Sequence, residues 1–186
     1  MASNSLADKR PDLVAEWSPR NSLTPHEVTC GSNKKVIWRC YKGHEWEARI
    51  DHRTISGSGC PYCSGNSVCV DNSLATLRPD LAVEWSPSNK LTPHEVTCGS
   101  NKKVYWVCDK GHEWHACIYH RACHDKGCPY CAGKKVCADN CLATLRPDLA
   151  AEWSTRNSVS SHEITCGSQN KFYWICDKGH EWHASI

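Results

Sequence analysis

The stretch VIWRCYKGHEWEARIDHRTISGSGCPYC, residues 36–63, sets one histidine and three cysteines at metal-ligand spacing: Cys40, His44, Cys60 and Cys63. The spacing returns 68 positions later in VYWVCDKGHEWHACIYHRACHDKGCPYC, residues 104–131, as Cys108, His112, Cys128 and Cys131. A third copy opens with Cys176 and His180, and the sequence reaches Ile186 without a third CPYC. Three thiolates and one imidazole suit a closed tetrahedral zinc site that leaves no position for a substrate. Two structural Zn2+ ions are therefore expected, with Cys176 and His180 as a partial site.

The period extends beyond the ligands. Trp17, Trp85 and Trp153 share it, as do Trp38, Trp106 and Trp174, and Trp46, Trp114 and Trp182. LATLRPDLA occurs intact at 74–82 and 142–150, with LADKRPDLV as a looser copy at 6–14. Such identity indicates duplication and predicts three modules in a row: residues 5–68, 73–136, and 141–186, the last without its closing CPYC. A unit of about 70 residues barely stabilises itself by a hydrophobic core alone, and a bound metal adds its binding free energy to folding. With one Phe and one Met among 186 residues, the large apolar groups are Trp, Leu, Val and Ile.

Fifteen cysteines could also suit an oxidised, secreted scaffold. Against that, Met1–Arg10 (MASNSLADKR) has no apolar core of a signal peptide, and no stretch is long enough to span a membrane. The odd count and the C-x2-C pairs favour metal, so the expected protein is reduced, zinc-loaded and intracellular, not secreted, with the nucleus and a virus particle as candidate locations. The formal net charge is +2. Each Cys3His site adds three thiolates and one divalent cation, so two loaded sites bring the chain to about zero. A protein that holds nucleic acid by bulk charge would be more basic.

Within the second repeat, Asn72 or Ser73 is expected to cap a first turn, and Pro79 to open a short helix through PDLAVEW that places Leu81 and Trp85 on one face. HEVT (94–97), VYWVC (104–108) and EWHACIYH (113–120) read as strands. Gly111 permits the reversal before His112, and Pro129 fixes a turn that lets Cys128 and Cys131 reach one ion. The fold class expected is small α+β and metal-stabilised: tandem zinc-ribbon or treble-clef modules, each a short helix on a two- to three-stranded antiparallel sheet.

PDLAxEW, then VTxGSNKKVxWxC, GHEW and GCPYC, resembles a probable zinc-ribbon or treble-clef zinc-finger family of unknown function, found in bacteria and large DNA viruses and often in tandem. The resemblance covers almost the whole chain. It implies the same eight ligands, and a nucleic-acid role by similarity to treble clefs joined to nuclease domains. Such nucleases carry a catalytic histidine on the hairpin. Asp51-His52 superficially fits, but the second repeat has Tyr119-His120 there, so His52, His115, His120 and His124 read as polar surface and no enzyme is expected.

Cys30, Cys98 and Cys166 recur in TCGS, and Cys69 and Cys137 recur 39 positions after the first two. Disulfides Cys30–Cys69 and Cys98–Cys137 are one reading; buried free thiols acting as small apolar groups are the preferred one. Cys117, Cys123 and Cys141 do not recur and read as incidental. Basic residues lie among aromatic ones, a pattern that can stack bases and hold phosphates: Lys34, Lys35, Arg39, Arg49, Arg53, Lys102, Lys103, Arg121, Lys134 and Lys135. The leading expectation is a non-enzymatic, zinc-binding, tandem-repeat adaptor for nucleic acid. The alternative is a structural or assembly protein that bridges other proteins or copies of itself, for example in a virus particle. Neither a membrane nor a small-molecule substrate is expected as partner.

Overall fold

The computed structural model describes residues 4–186. By internal contact the chain forms two units, one running to Ala82 and taking in Leu91–Gly99, the other comprising Val83–Lys90 and Ser100–Ile186. The division falls inside the second repeat, so its first helices belong to one unit and its sheet to the other. The architecture is small α+β, built from short helices and two-stranded antiparallel sheets.

In the first unit Ser5 caps helix α1 (Leu6–Lys9), its Oγ accepting from the Asp8 amide at 3.3 Å, and α2 (Pro11–Val14) follows. The capped first turn and the helix that opens at proline are separate elements because Arg10 precedes a proline. The Pro ring drives the preceding residue out of the α region, and Arg10 sits at φ −139°, ψ 64°. Its guanidinium folds onto Asp12 at 2.7 Å and donates to the Thr54 carbonyl at 2.8 Å. The same break occurs at Arg78 and Arg146, separating α4 (Leu74–Leu77) from α5 (Pro79–Ala82) and α7 (Leu142–Leu145) from α8 (Pro147–Ala151).

Helix α5 ends at Ala82, so Trp85, expected on one helix face with Leu81, lies beyond it. Trp85 forms a bridge with Trp106, and their rings meet edge to face at 5.3 Å. Trp17 does the same with Trp38, and Trp153 with Trp174. These tryptophans extend each hairpin on its outer side, where an asparagine completes the edge. Asn21 accepts from the Ile37 amide at 2.8 Å and donates to its carbonyl at 2.7 Å, satisfying backbone that would otherwise invite another strand.

The hairpins are β1 (Lys35–Arg39) with β2 (Glu45–Arg49), β3 (Lys103–Val107) with β4 (Glu113–Cys117), and β5 (Lys171–Ile175) with β6 (Glu181–Ser185). In each, two tryptophans stand opposite: Trp38 and Trp46, Trp106 and Trp114, Trp174 and Trp182. Leu6, Leu13, Val28, Val36, Trp38, Trp46 and Ile50 form the first core, with Cys40 and Cys60 at its margin.

One expected strand is absent and another is shorter than expected. At HEVT, Pro93–Glu95 is a 3-10 turn with Thr92 and Glu95 in a reciprocal capping box, and only Thr97 pairs, singly, with Ser73. EWHACIYH stops being a strand at Cys117, and Ile118–His124 forms α6, as Ile50–Thr54 forms α3. His52 and His120 are therefore exposed helix residues, not hairpin residues.

Helix α3 buries Arg53, which is 4% exposed. Its guanidinium lies 5.1 Å from the Trp38 ring and 5.3 Å from the Trp46 ring, with Nη2 on Glu16 and Nη1 on the Ser58 carbonyl. Arg121 repeats this between Trp106 and Trp114, donating to Glu84 and, at 2.6 Å, to the Lys126 carbonyl. Each anchors the loop two residues before a cysteine ligand. Arg53 and Arg121 were expected among exposed basic groups; both are instead buried, 4% exposed, and committed to partners inside the fold. Arg53→Ala removes a cation from between two indoles and half of a largely buried pair, and should cost roughly 2–3 kcal/mol of the first unit's stability. Denaturant unfolding of the zinc-loaded chain followed by Trp fluorescence checks this; a change of only a few tenths would mean that the clamp is ornamental.

Candidate metal centre

The first two ligands of each set come from the hairpin turn. In the first, the Cys40 amide donates to the His44 carbonyl at 3.0 Å and the Gly43 amide to the Cys40 carbonyl at 2.9 Å. Gly43 takes φ 86°, a conformation that side chains rarely tolerate. The remaining ligands come from the CPYC turn, where the Ser64 amide donates to the Cys60 carbonyl and Gly65 to Tyr62, both at 3.1 Å. Tyr62 lays its ring 5.4 Å from that of His44. The second set is built alike on Gly111, Cys128, Tyr130 and Ala132.

These turns bring the donors together. His44 Nδ1 stands 3.4 Å from Cys40 Sγ, 3.4 Å from Cys63 Sγ and 3.7 Å from Cys60 Sγ, and Cys40 and Cys63 are 3.7 Å apart. Around His112 Nδ1 the distances to Cys108, Cys131 and Cys128 are 3.5, 3.4 and 3.7 Å, with Cys108 and Cys131 at 3.8 Å. Zn–S bonds of about 2.3 Å and a Zn–N bond of about 2.0 Å at tetrahedral angles put sulfurs about 3.8 Å apart and sulfur about 3.5 Å from nitrogen. Both clusters match that shape and are two distinct centres able to hold a structural Zn2+.

The electrostatics agree. Burial alone would push the Cys40 thiol up, but the Lys42 and His44 amides and the thiols of Cys63 and Cys60 outweigh it and bring it down to about 7. Burial and the neighbouring Cys40 and Cys60 push Cys63 up to about 11, and burial with Cys128 and Cys108 pushes Cys131 up to about 12. Without a cation the three sulfurs of a site cannot all ionise near neutral pH; a divalent ion supplies the missing charge.

Cys176 and His180 form the same knuckle, with the Cys176 amide on the His180 carbonyl at 3.1 Å. Among the described residues no group of three donors gathers around them. Trp182 is 41% exposed, against 8% for Trp46 and 6% for Trp114. No cysteine among the described residues is in a disulfide, so Cys30–Cys69 and Cys98–Cys137 are not joined. Cys69 Sγ instead lies 3.6 Å from His44 Nε2, and Cys137 Sγ 3.4 Å from His112 Nε2. Asp71 and Asp139 join them, at 3.2 and 3.1 Å from those nitrogens. The sequence reading missed both carboxylates, although the repeated C-x-D of the linkers was the available signal. Cys141, read as incidental, is 1% exposed at the N-cap of α7, where the preceding repeat has Ser73.

Cys128→Ser should leave one zinc per chain by native mass spectrometry and melt the second module's tryptophan packing, because a three-ligand site no longer contributes its binding energy to folding. Retention of two zincs would overturn the ligand assignment. In the loaded site all three sulfurs are thiolates, so their folded-state affinity for protons is depressed. Protons and the ion compete for the same sulfurs, so the stabilisation is lost as the pH is lowered. Zinc release during acid titration measures it.

Comparison with known proteins agrees with this geometry. The model of a probable treble clef zinc finger domain matches residues 13–66, 81–134 and 149–186. An uncharacterized protein of Acanthamoeba polyphaga mimivirus is 29% identical over 107 residues, covering 51% of this chain and 26% of the viral protein. A protein of Escherichia phage T5 named "Putative endonuclease" is 24% identical over 132 residues, covering 69% of this chain and 39% of its own length. The chain thus spans less than half of either relative. With three successive matches covering most of its length and two Cys3His clusters of zinc-site shape, the chain belongs to the probable treble clef zinc finger domain family.

Proposed function

We propose that the chain is a non-enzymatic, zinc-stabilised adaptor that binds single-stranded nucleic acid through its second repeat. The observation that carries this reading is a cleft of about 400 Å³ beside the second metal centre, rimmed by Lys103, Lys126, Lys134 and Lys135. His115 and His120 also line it, over a floor that includes Trp114, Ala116 and Pro129. All four lysines are exposed. An apolar floor of this size suits a base or sugar, and the lysine rim suits the phosphates on either side.

The first repeat has the same scaffold without this charge. The positions 68 earlier are Lys35, Ser58, Asn66 and Ser67, with Glu47 in place of His115. A face that gained three lysines between duplicates argues for local charge as the binding determinant, where the near-neutral chain offers little in bulk. Of the other basic candidates, Lys34, Lys35, Arg39 and Lys102 are exposed, while Arg49 is held by Asp51 at 2.5 Å. With every zinc ligand supplied by the protein, the metal has structural work and no open position for hydrolysis.

Fluorescence anisotropy with a labelled single-stranded oligonucleotide tests the reading. The zinc-loaded chain should bind with strong salt dependence. The triple variant Lys126→Ala, Lys134→Ala, Lys135→Ala should bind at least about tenfold more weakly with a salt slope reduced by about 2, while Lys34→Ala, Lys35→Ala changes little. The oligonucleotide should remain intact with Mg2+ present. Equal binding by the triple variant would move the contact face elsewhere. Indifference to nucleic acid together with self-association would favour the bridging role.

A further inference from the structure

We propose that the linker turns Cys69–Asn72 and Cys137–Asn140 are clasps, each holding the imidazole ligand of one metal centre from behind while fixing the first helix of the next repeat. Occupancy of one metal site then stabilises the start of the following module.

The first half of the clasp faces the metal ligand. His44 turns Nδ1 to the three sulfurs, so a metal-bound imidazole carries its proton on Nε2. That nitrogen faces Asp71 Oδ2 at 3.2 Å and Cys69 Sγ at 3.6 Å. A carboxylate accepting the Nε2 proton fixes the tautomer and ring angle and makes the other nitrogen a better donor to the ion. His112 has the same two neighbours at 3.1 and 3.4 Å. Taking a second ion at His44, Cys69 and Asp71 would require the imidazole to lose its last proton and bridge two cations. A hydrogen bond satisfies the same atoms without that cost.

The other half faces the next repeat. The Asn72 side chain accepts from the Cys69 amide at 2.7 Å and donates to the carbonyls of Tyr62, at 2.7 Å, and Ser67, at 2.9 Å. Tyr62 lies between two cysteine ligands, so one amide group ties the clasp to the closing turn of the site. The chain leaves Asn72 directly into the cap of α4. Ser73 Oγ accepts from the Thr76 amide, the Thr76 hydroxyl donates to the Val70 carbonyl at 2.6 Å, and the amide of fully buried Leu74 donates to Val96 at 2.8 Å.

The second linker repeats the arrangement. Asn140 meets Cys137, Tyr130 and Lys135 at 2.8, 2.7 and 2.8 Å, the Cys141 amide donates to Cys137 at 3.1 Å, and Leu142 donates to Ile164 at 2.8 Å. Each clasp lies wholly within one unit together with the helix it starts.

The test uses the full zinc-loaded chain and does not depend on nucleic-acid binding. Asp71→Ala should weaken zinc at the first site by about 10–100-fold in chelator competition while the second site is unchanged, and Asp71→Asn, which keeps an acceptor oxygen, should fall between. At saturating zinc the His44 Nε2 nitrogen resonance should shift in Asp71→Ala, a change that a merely structural carboxylate would not produce. Asn72→Ala, with both zincs bound, should speed hydrogen exchange at the Leu77 and Arg78 amides of α4 and leave the β1–β2 amides protected. Unchanged zinc affinity in Asp71→Ala, or unchanged exchange in Asn72→Ala, would overturn the proposal. More than two zincs on a wild-type chain, with the excess lost in Cys69→Ser, would overturn it in favour of a second ion at Cys69 and Asp71.

Discussion

Three thiolates do not remain within 4.8 Å of one another unless a cation sits among them, and the rest of each complete module follows from that requirement. The hairpin must end in a tight reversal so that Cys40 and His44 point the same way, which brings Gly43 to φ 86°. A second segment must return to the hairpin tip, which needs α3, the loop over Ser58 and the CPYC turn. The hydrophobic core is small and centres on Trp38, so the cross-link contributes stability that burial alone would not reach at this size.

The arginine clamp shows how that return is guided. Arg53 and Arg121 place a guanidinium against two indoles and hold a backbone carbonyl two residues before the third ligand. Helix, sheet and closing loop are thereby registered to one another, and a buried cation is neutralised by Glu16 or Glu84. In the third repeat Trp182, the counterpart of Trp46 and Trp114, is 41% exposed.

An array of such modules gains cooperativity only from what joins neighbours. The linkers here are hydrogen-bonded at both ends, to a metal ligand behind and to a helix cap ahead. Duplicates that share this scaffold are free to differ on their surfaces. The second repeat differs from the first by three lysines around one cleft, a difference that costs nothing in the core. On the proposed reading, architecture is repeated and recognition is local.

Spacing alone picked out the period and the two sets of donors that the fold gathers into metal-capable clusters, because a tetrahedral Cys3His site permits few chain geometries and duplication marks every residue it needs. Local chemistry also determined the glycine reversals and the proline turn. The helix at Ile118 was not legible, since EWHACIYH alternates well enough to pass for a strand and only packing on Trp106 and Trp114 turns Arg121 inward. The same packing withdrew two arginines from the basic surface. Tertiary structure also decided what the Cys69 and Cys137 thiols face: with Asp71 and Asp139 they stand behind histidine ligands 25 residues earlier in the chain. Ligand spacing is local and survives in a string of letters. The partner of a buried charge or of an imidazole nitrogen is set by how separate segments fold onto one another, and only the folded chain supplies that.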